Sequence, residues 1–522
     1  MTQAKFTFID LFSGIGGFRI ALNNIGGTCL GFSEINNDAI KTYCENFNED
    51  EKSNFGDITK IVELPKHDLL TGGVPCQSWS IAGKNLGFDD DRGQLWNDTI
   101  YLLNKIRPKA FVFENVKGLS DPRNKEALSY ILQRIKDAGY YANYYLLNSF
   151  DYGLPQNRLR IYIVGFAEKE YASRFKIPEP ISKKNRLKDI LTNIHYSPPQ
   201  NIELSSEQKD LFGETVSSRR MSLSQNNGFN DYFLFNDLRN GHSTIHSWDI
   251  TETTERQKHI CYLLLKNRRK SAYGELDGNP LSLTHFQSLD NSIVENELNE
   301  LVNINILKPE EYTYELTTYN AEELSHNESM IIRCAAKGEL NIDTLKSNKS
   351  LRVNKIPILK CIEDLKGKGI IKCIEIRYEF KNTKISTGLN GINRIFLPKS
   401  DIFPTLVASD TNDFIALKDI NAKTEDEFKS KFLKEIYNKK LFRKITKEEA
   451  CLIQGFPENF ELPDSRPRWM KLIGNSVSVP VVQILGKSIC ETGVFESNFI
   501  KTTKEEHNLA IEKQINKTIA YI

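Results

Sequence analysis

The sequence predicts an α/β fold for the first third of the chain, and three observations indicate it. Apolar runs of strand length alternate with amphipathic runs of helix length between residues 6 and 166. The first apolar run, residues 6–12, is followed by glycine-rich residues 13–17 and then by a helical pattern. Carboxylates and a cysteine follow the ends of several predicted strands, and open α/β sheets bind their ligands at that edge.

The composition predicts a globular protein with more than one domain. The chain has 522 residues, enough for two or three domains, and 39% of them are hydrophobic. Nine cysteines show no paired spacing, as expected of free thiols in a reducing compartment. No apolar run approaches membrane-spanning length, so we expect a soluble intracellular protein. The net charge of +1 gives no overall attraction to nucleic acid, so such binding would depend on local basic patches.

The glycine-rich residues and a following acid indicate an adenosine-containing ligand. Residues 13–17 let a ligand approach the backbone closely. A second predicted strand, residues 28–33, ends at Glu34, about 20 residues after the glycines, where related folds place the acid that binds ribose hydroxyls. The spacing is not GxGxxG, so a dinucleotide is not favoured. The alternative is a plain turn with a capping acid. Asp57, after a predicted helix at 38–47, either accepts from an adenine amino group or is a surface turn residue.

Cys76 is the candidate nucleophile. Residues 67–71 predict a short buried strand, which two glycines and Pro75 are expected to end. Cys76 then lies on a tight loop beyond the strand, where a substrate reaches the thiol and the ionised thiol acts as a nucleophile. The alternative is a small buried hydrophobic residue. A helix at about 95–106 is predicted to follow.

An acid and two arginines are predicted at the same edge of the sheet. Residues 109–113 predict a strand that ends at Glu114, whose carboxyl group is expected to have a raised pKa and to exchange a proton, unless it only caps the next turn. A helix at 125–138 and a strand at 140–147 continue the alternation. Arg158 and Arg160 precede a strand at 161–166 and suit a phosphate or a polar base edge, with a solvated strand end as the alternative.

The chain resembles a cytosine-5 DNA methyltransferase in seven ordered blocks. They are residues 10–17 (DLFSGIGG), Glu34, 56–58 (GDI), 73–77 (GVPCQ), 114–116 (ENV), 156–160 (QNRLR) and 474–477 (GNSV). Seven blocks in the family's order are far more specific than any one of them. The resemblance covers residues 6–167 and about 394–490.

The resemblance implies a Rossmann-like methyltransferase domain with a mixed, mostly parallel sheet, and a smaller target-recognition lobe. S-adenosyl-L-methionine would be the cofactor. No metal would be needed, because the nucleophile is a thiolate and the electrophile a sulfonium. The cofactor-binding residues that the resemblance implies are Phe12, Gly14, Ile15, Gly16, Glu34, Asp57, Ile58, Pro75, Asn475 and Ser476.

The resemblance also implies the catalytic roles. Cys76 would add to carbon 6 of a cytosine, so that carbon 5 attacks the methyl group of the cofactor. Glu114 would hold ring nitrogen 3 and the exocyclic amine, Arg160 would support the base, and Arg158 the site around it. The base must be flipped out of the duplex to be reached. The predicted DNA-binding residues are Gln77, Ser80, Arg92, Arg219 and Arg220. For the pair Arg219 and Arg220, and for a basic loop at 183–186, a solvated surface is the alternative.

The chain is predicted to form a discontinuous catalytic domain around a long insertion. The predicted boundaries are 1–175 and 474–495 for the catalytic domain, 176–440 for the recognition lobe, 441–473 for a hinge and 496–522 for a tail. We expect residues 6–167 and 474–490 to be in contact. The tail carries isoleucines at spacings of three and four and either forms an amphipathic helix or frays.

Within the lobe, residues 250–385 have a helical pattern interrupted by strand-like runs. Helices followed by a short ribbon resemble a winged helix-turn-helix, and a similar rhythm recurs, which suggests two such units in tandem. Their self-similarity in sequence is weak, and the alternative is a helical elaboration that packs on the lobe. His242, His246 and Asp249 have a spacing that resembles metal ligands, but histidines packed with Trp248 are the better interpretation.

Together these observations predict a DNA (cytosine-5-)-methyltransferase that acts on double-stranded DNA. It would protect host DNA from a cognate restriction endonuclease, a functional and not necessarily a physical partner. We expect a monomer in the bacterial cytoplasm, associated with the nucleoid and not with a membrane. The alternatives are an RNA cytosine-5 methyltransferase and a non-catalytic DNA-binding regulator of the same fold.

Overall fold

The computed structural model describes residues 5–75, 91–182, 185–192, 194, 232–235, 243–276, 278–381 and 391–496, with side chains in the second range from residue 94. Up to residue 174 strands alternate with helices. These elements are β1 (Phe6–Leu11), α1 (Gly17–Asn23), β2 (Gly27–Ser33), α2 (Asn37–Phe47), β3 (Leu69–Gly73), α3 (Asp91–Ile106), β4 (Ala110–Val116), α4 (Lys125–Asp137), β5 (Tyr141–Asn148), β6 (Gln156–Asn157), β7 (Leu159–Phe166) and α5 (Lys169–Arg174).

A second group of elements runs from residue 232 to residue 380. It consists of β8 (Tyr232–Phe235), β9 (Thr244–Ile245), α6 (Ser247–Ile250), α7 (Glu255–Asn267), β10 (Leu281–Ser282), α8 (Leu283–Leu289), α9 (Glu295–Asn303), β11 (Leu307–Leu316), α10 (His326–Ile332), β12 (Glu339–Asn341), α11 (Ile342–Ser347), α12 (Lys349–Val353), α13 (Ile358–Gly367) and β13 (Ile371–Phe380).

The last group closes the chain on the first domain. It consists of β14 (Arg394–Phe396), β15 (Phe403–Pro404), β16 (Asp413–Ala416), α14 (Glu425–Phe432), β17 (Phe442–Arg443), α15 (Lys447–Gln454), α16 (Arg466–Asn475) and α17 (Val479–Glu491). Among the described residues one helical run, 466–491, is long and apolar enough to cross a membrane, and 72% of its most apolar window is buried inside the fold. The core of the first domain therefore accounts for its apolar character.

The first domain is a six-stranded sheet in the order β2-β1-β3-β4-β7-β5. The first four strands are parallel, and β7 runs antiparallel to both β4 and β5. One face packs against α1 and α17, where Phe18 and Leu485 join the same apolar cluster. The other face packs against α3 and α4, through Trp96 and Ile131. This is the mixed, mostly parallel α/β architecture that the sequence predicts.

The third strand differs from its prediction. Gly72 and Gly73 do not end it but form its last two residues, paired with Phe113 and Glu114 of β4. A Cβ atom on Gly72 would lie 3.1 Å from the carbonyl oxygen of Leu11, tighter than most real contacts, so this closely packed strand favours glycine.

The contact between the two ends of the catalytic domain is confirmed. Helix α17 packs along α1, where Gly486 faces Ile25 and Leu22 so closely that a Cβ atom would lie 2.7 Å from Ile25. Short strand β15 pairs with β6, which ties the segment before the hinge to the first domain. The domain boundaries themselves stay predictions.

The second lobe has its own sheet and its own core. Its five strands have the order β17-β16-β14-β8-β9. Phe233 of β8 stacks on Phe432 of α14 with ring centroids 3.7 Å apart. Between β9 and β14, residues 247–380 form a separate body with a four-stranded sheet in the order β10-β13-β11-β12. Two further apolar clusters belong to that body alone.

The histidine pattern near residue 246 packs against an aromatic ring. His246 stacks on Trp248 with ring centroids 4.1 Å apart, and its backbone N–H donates to Asp249 at 2.8 Å. His242 lies outside the described residues. In the part of the chain that the structure describes, no group of three or more His, Cys, Asp or Glu residues is placed to hold a metal ion, and the eight described cysteines are free thiols.

Candidate active site

One cavity of about 380 Å³ lies at the carboxyl ends of β1, β2, β3 and β4. Residues far apart in the chain line it, and they include the following predicted site residues: Phe12, Gly14, Glu34, Asp57, Ile58, Pro75, Glu114, Arg158, Arg160 and Asn475. The parallel strands explain this convergence, because their carboxyl ends meet at one edge of the sheet.

The turn after β1 opens a path between backbone and cavity. Phe12, Gly14 and Gly16 all have positive φ angles, of 51°, 54° and 88°. A Cβ atom on Gly14 would meet nothing within 4 Å, so this glycine leaves open space at the cavity wall. A Cβ atom on Gly16 would lie 2.3 Å from the ring of Phe47, so that glycine serves packing on α2.

Glu34 links the end of β2 to the glycine turn. Its Oε2 atom accepts from the backbone N–H of Gly14 at 2.9 Å, and its Oε1 atom accepts from the N–H groups of Ile35 and Asn36 at 2.8 Å. An ionised carboxylate has about four acceptor positions, so one remains for a ligand hydroxyl. Glu34 therefore both holds the turn and faces the cavity.

Asp57 and Pro75, which come before and after β3 in the chain, both line the cavity. Asp57 caps a short helical turn by accepting from the N–H and the hydroxyl group of Thr59 at 3.1 and 2.9 Å. These hydrogen bonds hold the pKa of Asp57 below its usual value. The residue before Pro75, Val74, accepts from the side-chain amide of Asn115 at 3.1 Å, which fixes the start of the loop that leads to residue 76.

Glu114 and Arg160 form a largely buried ion pair on adjacent strands. Arg160 Nε lies 3.2 Å from Glu114 Oε1, and both side chains are at most 15% exposed. Burial raises the pKa of Glu114, and the positive charges of Arg160 and Arg158 oppose that shift. The carboxyl group is thus able to carry a proton closer to neutral pH than an exposed glutamate does.

The environment of Arg158 differs from the phosphate or base-edge contact that its place before the strand suggested, and it is compatible with the supporting role that the resemblance implies. Its guanidinium donates to the backbone carbonyls of Leu406, Gly474 and Ser476 at 2.9, 3.1 and 2.7 Å, and the residue is 2% exposed. Three main-chain acceptors leave little of this group for a phosphate or a base edge. Arg158 instead joins three chain segments beneath the cavity, which a planar guanidinium with five donors does well.

The structure leaves some predicted residues away from the cavity and does not describe others. Ile15 is fully buried in the core, Gly16 packs on Phe47, and Ser476 is buried with its hydroxyl donating to Ile473. None of the three lines the cavity. The residues that lie outside the described side chains are Cys76, Gln77, Ser80, Arg92, Arg219 and Arg220.

Four residues that were not predicted from the sequence also line the cavity. Ile35 is 70% exposed although apolar, and it stands next to Glu34 on the wall. Asn36, Asn115 and Lys471 add polar groups. Ile35 and Asn36 directly follow Glu34, and Lys471 comes shortly before residues 474–477. Their nearness in sequence to these matched blocks is the signal that could have identified them as cavity residues.

The residues that line the cavity combine apolar surface with hydrogen-bond acceptors, a combination that suits a nucleoside. An apolar side is formed by Phe12, Ile35 and Leu472, while two carboxylates, Glu34 and Asp57, supply acceptors for hydroxyl and amino groups. The volume lies in the range of small-molecule sites. The ion pair of Glu114 and Arg160 lies beside the end of β3, since Glu114 Oε2 would lie 3.9 Å from a Cβ atom on Gly73.

Fold and cavity together define an α/β protein with a cavity of small-molecule size at the carboxyl edge of its sheet. The family model for C-5 cytosine-specific DNA methylase matches residues 6–491. The chain therefore belongs to that family, and it is a DNA (cytosine-5-)-methyltransferase.

Individual relatives align with this chain over nearly its whole length. Type II methyltransferase M.HgiBI of Herpetosiphon aurantiacus is 41% identical over 493 residues, 94% of this chain and 98% of that protein. Type II methyltransferase M.NlaIV of Neisseria lactamica is 27% identical over 516 residues, 94% of this chain and 100% of that protein. Among solved structures, Entamoeba histolytica methyltransferase EhMeth has 16% identity and a TM-score of 0.45, covering 94% of this chain and 99% of that one.

Proposed function

We propose that the chain transfers a methyl group from S-adenosyl-L-methionine to carbon 5 of a cytosine that is flipped out of a specific duplex DNA sequence. The observation that carries this proposal is the single cavity shared by the glycine turn, Glu34, Asp57, the Glu114–Arg160 pair and Asn475. Cofactor groups and base-binding groups need to share one space for direct transfer between two bound reactants.

The residues that line the cavity support the proposal of a cofactor site. When bound, S-adenosyl-L-methionine supplies an electrophilic methyl group on a sulfonium. The free acceptor position of Glu34 suits its ribose hydroxyls, and Asp57 suits the adenine amine. The open backbone at Gly14 suits the methionine end, since no Cβ atom blocks the approach there. Asn475, the last residue of α16, also lines the cavity.

The base-binding groups divide the chemistry between them. The Cys76 thiolate adds to carbon 6, which makes carbon 5 nucleophilic. Glu114, whose pKa burial raises, donates a proton to ring nitrogen 3 and accepts from the exocyclic amine. Arg160 keeps Glu114 oriented through its ion pair, and Arg158 holds the floor of the site. Carbon 5 then bonds to the methyl group as the sulfonium carbon–sulfur bond breaks, and loss of the carbon-5 proton afterwards expels the Cys76 thiolate and restores the ring.

The names of the relatives support a role in restriction and modification. Type II methyltransferases are the relatives that align along the full length of the chain. We infer that methylation protects host DNA from a cognate restriction endonuclease, with which the chain need not form a complex. A monomer in the bacterial cytoplasm, bound to the nucleoid and to no membrane, suffices for this task.

Bisulfite sequencing tests the proposed reaction and reads the target. DNA from methylation-deficient cells that express the chain should show protected cytosines within one recurring sequence. Cells that express the Cys76→Ala variant supply the control. Modification of transfer RNA without modification of duplex DNA would contradict the proposal.

Trapping the base tests the role of Cys76 directly. Duplex DNA that contains 5-fluorocytosine in the target should form a covalent adduct with the unaltered chain in the presence of the cofactor, because fluorine blocks the final elimination. The Cys76→Ala variant should bind cofactor and DNA but form no adduct and methylate at least about 100-fold more slowly. Methylation by the Cys76→Ala variant at the rate of the unaltered chain would refute the assignment of Cys76 as the nucleophile.

A further inference from the structure

Residues 254–380 contain two copies of one unit, related by a shift of 64 residues in their second halves. Residues 301–316 and 365–380 are identical at six of sixteen positions: Leu301 and Leu365, Ile306 and Ile370, Lys308 and Lys372, Glu311 and Glu375, Tyr314 and Tyr378, Glu315 and Glu379. Strands β11 and β13 occupy the same part of each copy, Leu307–Leu316 and Ile371–Phe380.

The hydrogen bonds of the two copies repeat with the same shift. Ile306 N donates to Leu301 O, and Ile370 N donates to Leu365 O, each at 3.0 Å. Asn305 and Gly369, at equivalent positions, both have positive φ angles, of 62° and 68°. The helices that open the copies, α7 and α10, both begin with a capping box, at Thr254 and at Ser325.

The pairing of the strands shows that the copies are related by a pseudo-two-fold axis. Leu307 pairs with Phe380, and the shifted pair, Ile371 with Leu316, is also present. Strand β10 pairs with β13 through Leu281 and Tyr378, while β12 pairs with β11 through Leu340 and Tyr314. Each copy therefore consists of a helix, a short strand, further helices and a long strand, which is the order of a winged helix. The long strand of each copy pairs with the short strand of the other copy.

The two copies differ in charge. Residues 254–316 contain seven Lys and Arg against ten Asp and Glu, whereas residues 325–380 contain eleven against seven. The difference is concentrated in residues 344–362 of the second copy, which carry five cations and no acid. The stretch 64 residues earlier, 280–298, carries three acids and no Lys or Arg.

The five cations of residues 344–362 face solvent. They are Lys346, Lys349, Arg352, Lys355 and Lys360, all exposed on α11, α12, α13 and the turn between the last two. Their neighbours Leu345, Leu351 and Ile362 point inward into the core of the same copy. None of the five has an ion-pair partner among the described residues, whereas Lys366 and Lys368 of the same copy pair with Glu311 and Glu328. We call these five residues the basic face.

We propose that the basic face binds the phosphate backbone of the duplex DNA substrate, independently of sequence. Exposed, unpaired cations spread over helices are the usual means of phosphate contact, and they position a protein without reading bases. Acidic residues Glu363 and Asp364 on α13 disfavour insertion of that helix into a groove. This inference rests on the proposed function, in which duplex DNA is the substrate.

The salt dependence of DNA binding tests the basic face. The full-length triple variant Lys346→Gln, Lys349→Gln and Arg352→Gln is compared with the unaltered chain by fluorescence anisotropy on a 60-bp mixed-sequence duplex, in about 50 to 200 mM salt. Each cation that no longer neutralises a phosphate should lower the slope of log K against log salt by about 0.9, so the slope should fall by about two to three. Affinity at low salt should fall about tenfold or more.

A matched variant controls for net charge. Lys66→Gln, Lys125→Gln and Lys136→Gln remove three exposed cations of the catalytic domain that form no ion pair within the described ranges, and should leave the slope within error of the unaltered chain. Equal slopes for both variants would overturn the inference, and so would weaker binding of anionic lipid vesicles with unchanged binding of duplex DNA. Failure of the unaltered chain to methylate any duplex DNA would instead contradict the proposed function.

Discussion

Asp10 places a carboxyl group inside the sheet, directly before the glycine turn. It is fully buried, with Thr71 Oγ donating to Oδ1 at 3.2 Å and with no hydrogen-bond partner for Oδ2 in the described part of the chain. Burial raises the pKa of Asp10 to about 8, although Thr71 and Arg19 oppose the shift. The folded protein thus retains a proton here that the unfolded chain releases near pH 4.

Stability should therefore fall as pH rises. The contribution of Asp10 is complete below about pH 4 and is lost as pH rises through about 8, at up to about 1.4 kcal/mol per pH unit in between. In urea unfolding between pH 5 and 8, the Asp10→Asn variant should lose less stability per pH unit than the unaltered chain. Parallel curves for the two proteins would contradict a protonated Asp10.

Glu34 gives a second prediction at this scale. The Glu34→Ala variant removes both the acceptor for a ribose hydroxyl and the partner of the Gly14 N–H. We expect the Kd for S-adenosyl-L-methionine, measured by calorimetry, to rise about tenfold or more. The matched variant Glu45→Ala, on the exposed side of α2, should leave it unchanged. An unaltered Kd in the Glu34→Ala variant would exclude the ribose role.

The two arginines show how far single residues could be predicted. Both were expected, from their place before a strand, to suit a phosphate or a polar base edge. Arg160 meets Glu114 across neighbouring strands, while Arg158 points to carbonyls of residues 406, 474 and 476. Those acceptors lie about 250 to 320 positions away in sequence, so no local pattern could reveal them.

At the level of elements, the end of α16 packs against the segment before β16 so closely that no side chain fits between them. A Cβ atom on Gly474 would lie 2.5 Å from the carbonyl carbon of Val407 and 2.7 Å from the backbone nitrogen of Ala408. Backbone atoms cannot rotate away as a side chain can. This approach also sets the position of Asn475 at the cavity wall.

Substitution of Gly474 should disturb both packing and binding. We expect the Gly474→Ala variant to lose about 1 to 3 kcal/mol in the free energy of unfolding, measured in urea, and to bind S-adenosyl-L-methionine more weakly. The control is Gly367→Ala in the last turn of α13, where a Cβ atom meets nothing within 4 Å and alanine should stabilise by up to about 1 kcal/mol. Equal stability of the two variants would show that the segments separate easily.

At the scale of the whole molecule, the body formed by residues 247–381 contributes no buried residue to the cores of the catalytic domain, although its Ile250 packs against the recognition-lobe core and its Asp249 pairs with Lys429. The fully buried residues of the two catalytic cores and of the recognition-lobe core all come from outside this range. Its two ends lie together, since the rings of Trp248 and Phe380 are 5.3 Å apart. A short linker can therefore take its place.

Replacement of residues 247–381 by a Gly/Ser linker of about ten residues should leave a folded protein. We expect its Kd for S-adenosyl-L-methionine to stay within about twofold and its methylation of DNA to suffer mainly through a higher KM. Retention of cooperative thermal unfolding provides the control for folding. Loss of cofactor binding together with cooperative unfolding would show that the insertion is part of the catalytic core.

The α/β class, the order of the blocks and the chemical types at the site could all be predicted from the sequence, because strands, glycine turns and strand-end acids depend on near neighbours. The sequence also contains the repeat with its shift of 64 residues. Six identities in sixteen positions are weak evidence of a repeat, so the repeat could be recognised only from the register of β11 against β13. Tertiary structure alone decided that Arg158 holds the floor of the cavity, that Gly16 serves packing, and that Lys471 faces the site. Those outcomes depend on segments that meet only when the chain closes on itself, and contacts between distant residues leave no periodic trace in sequence.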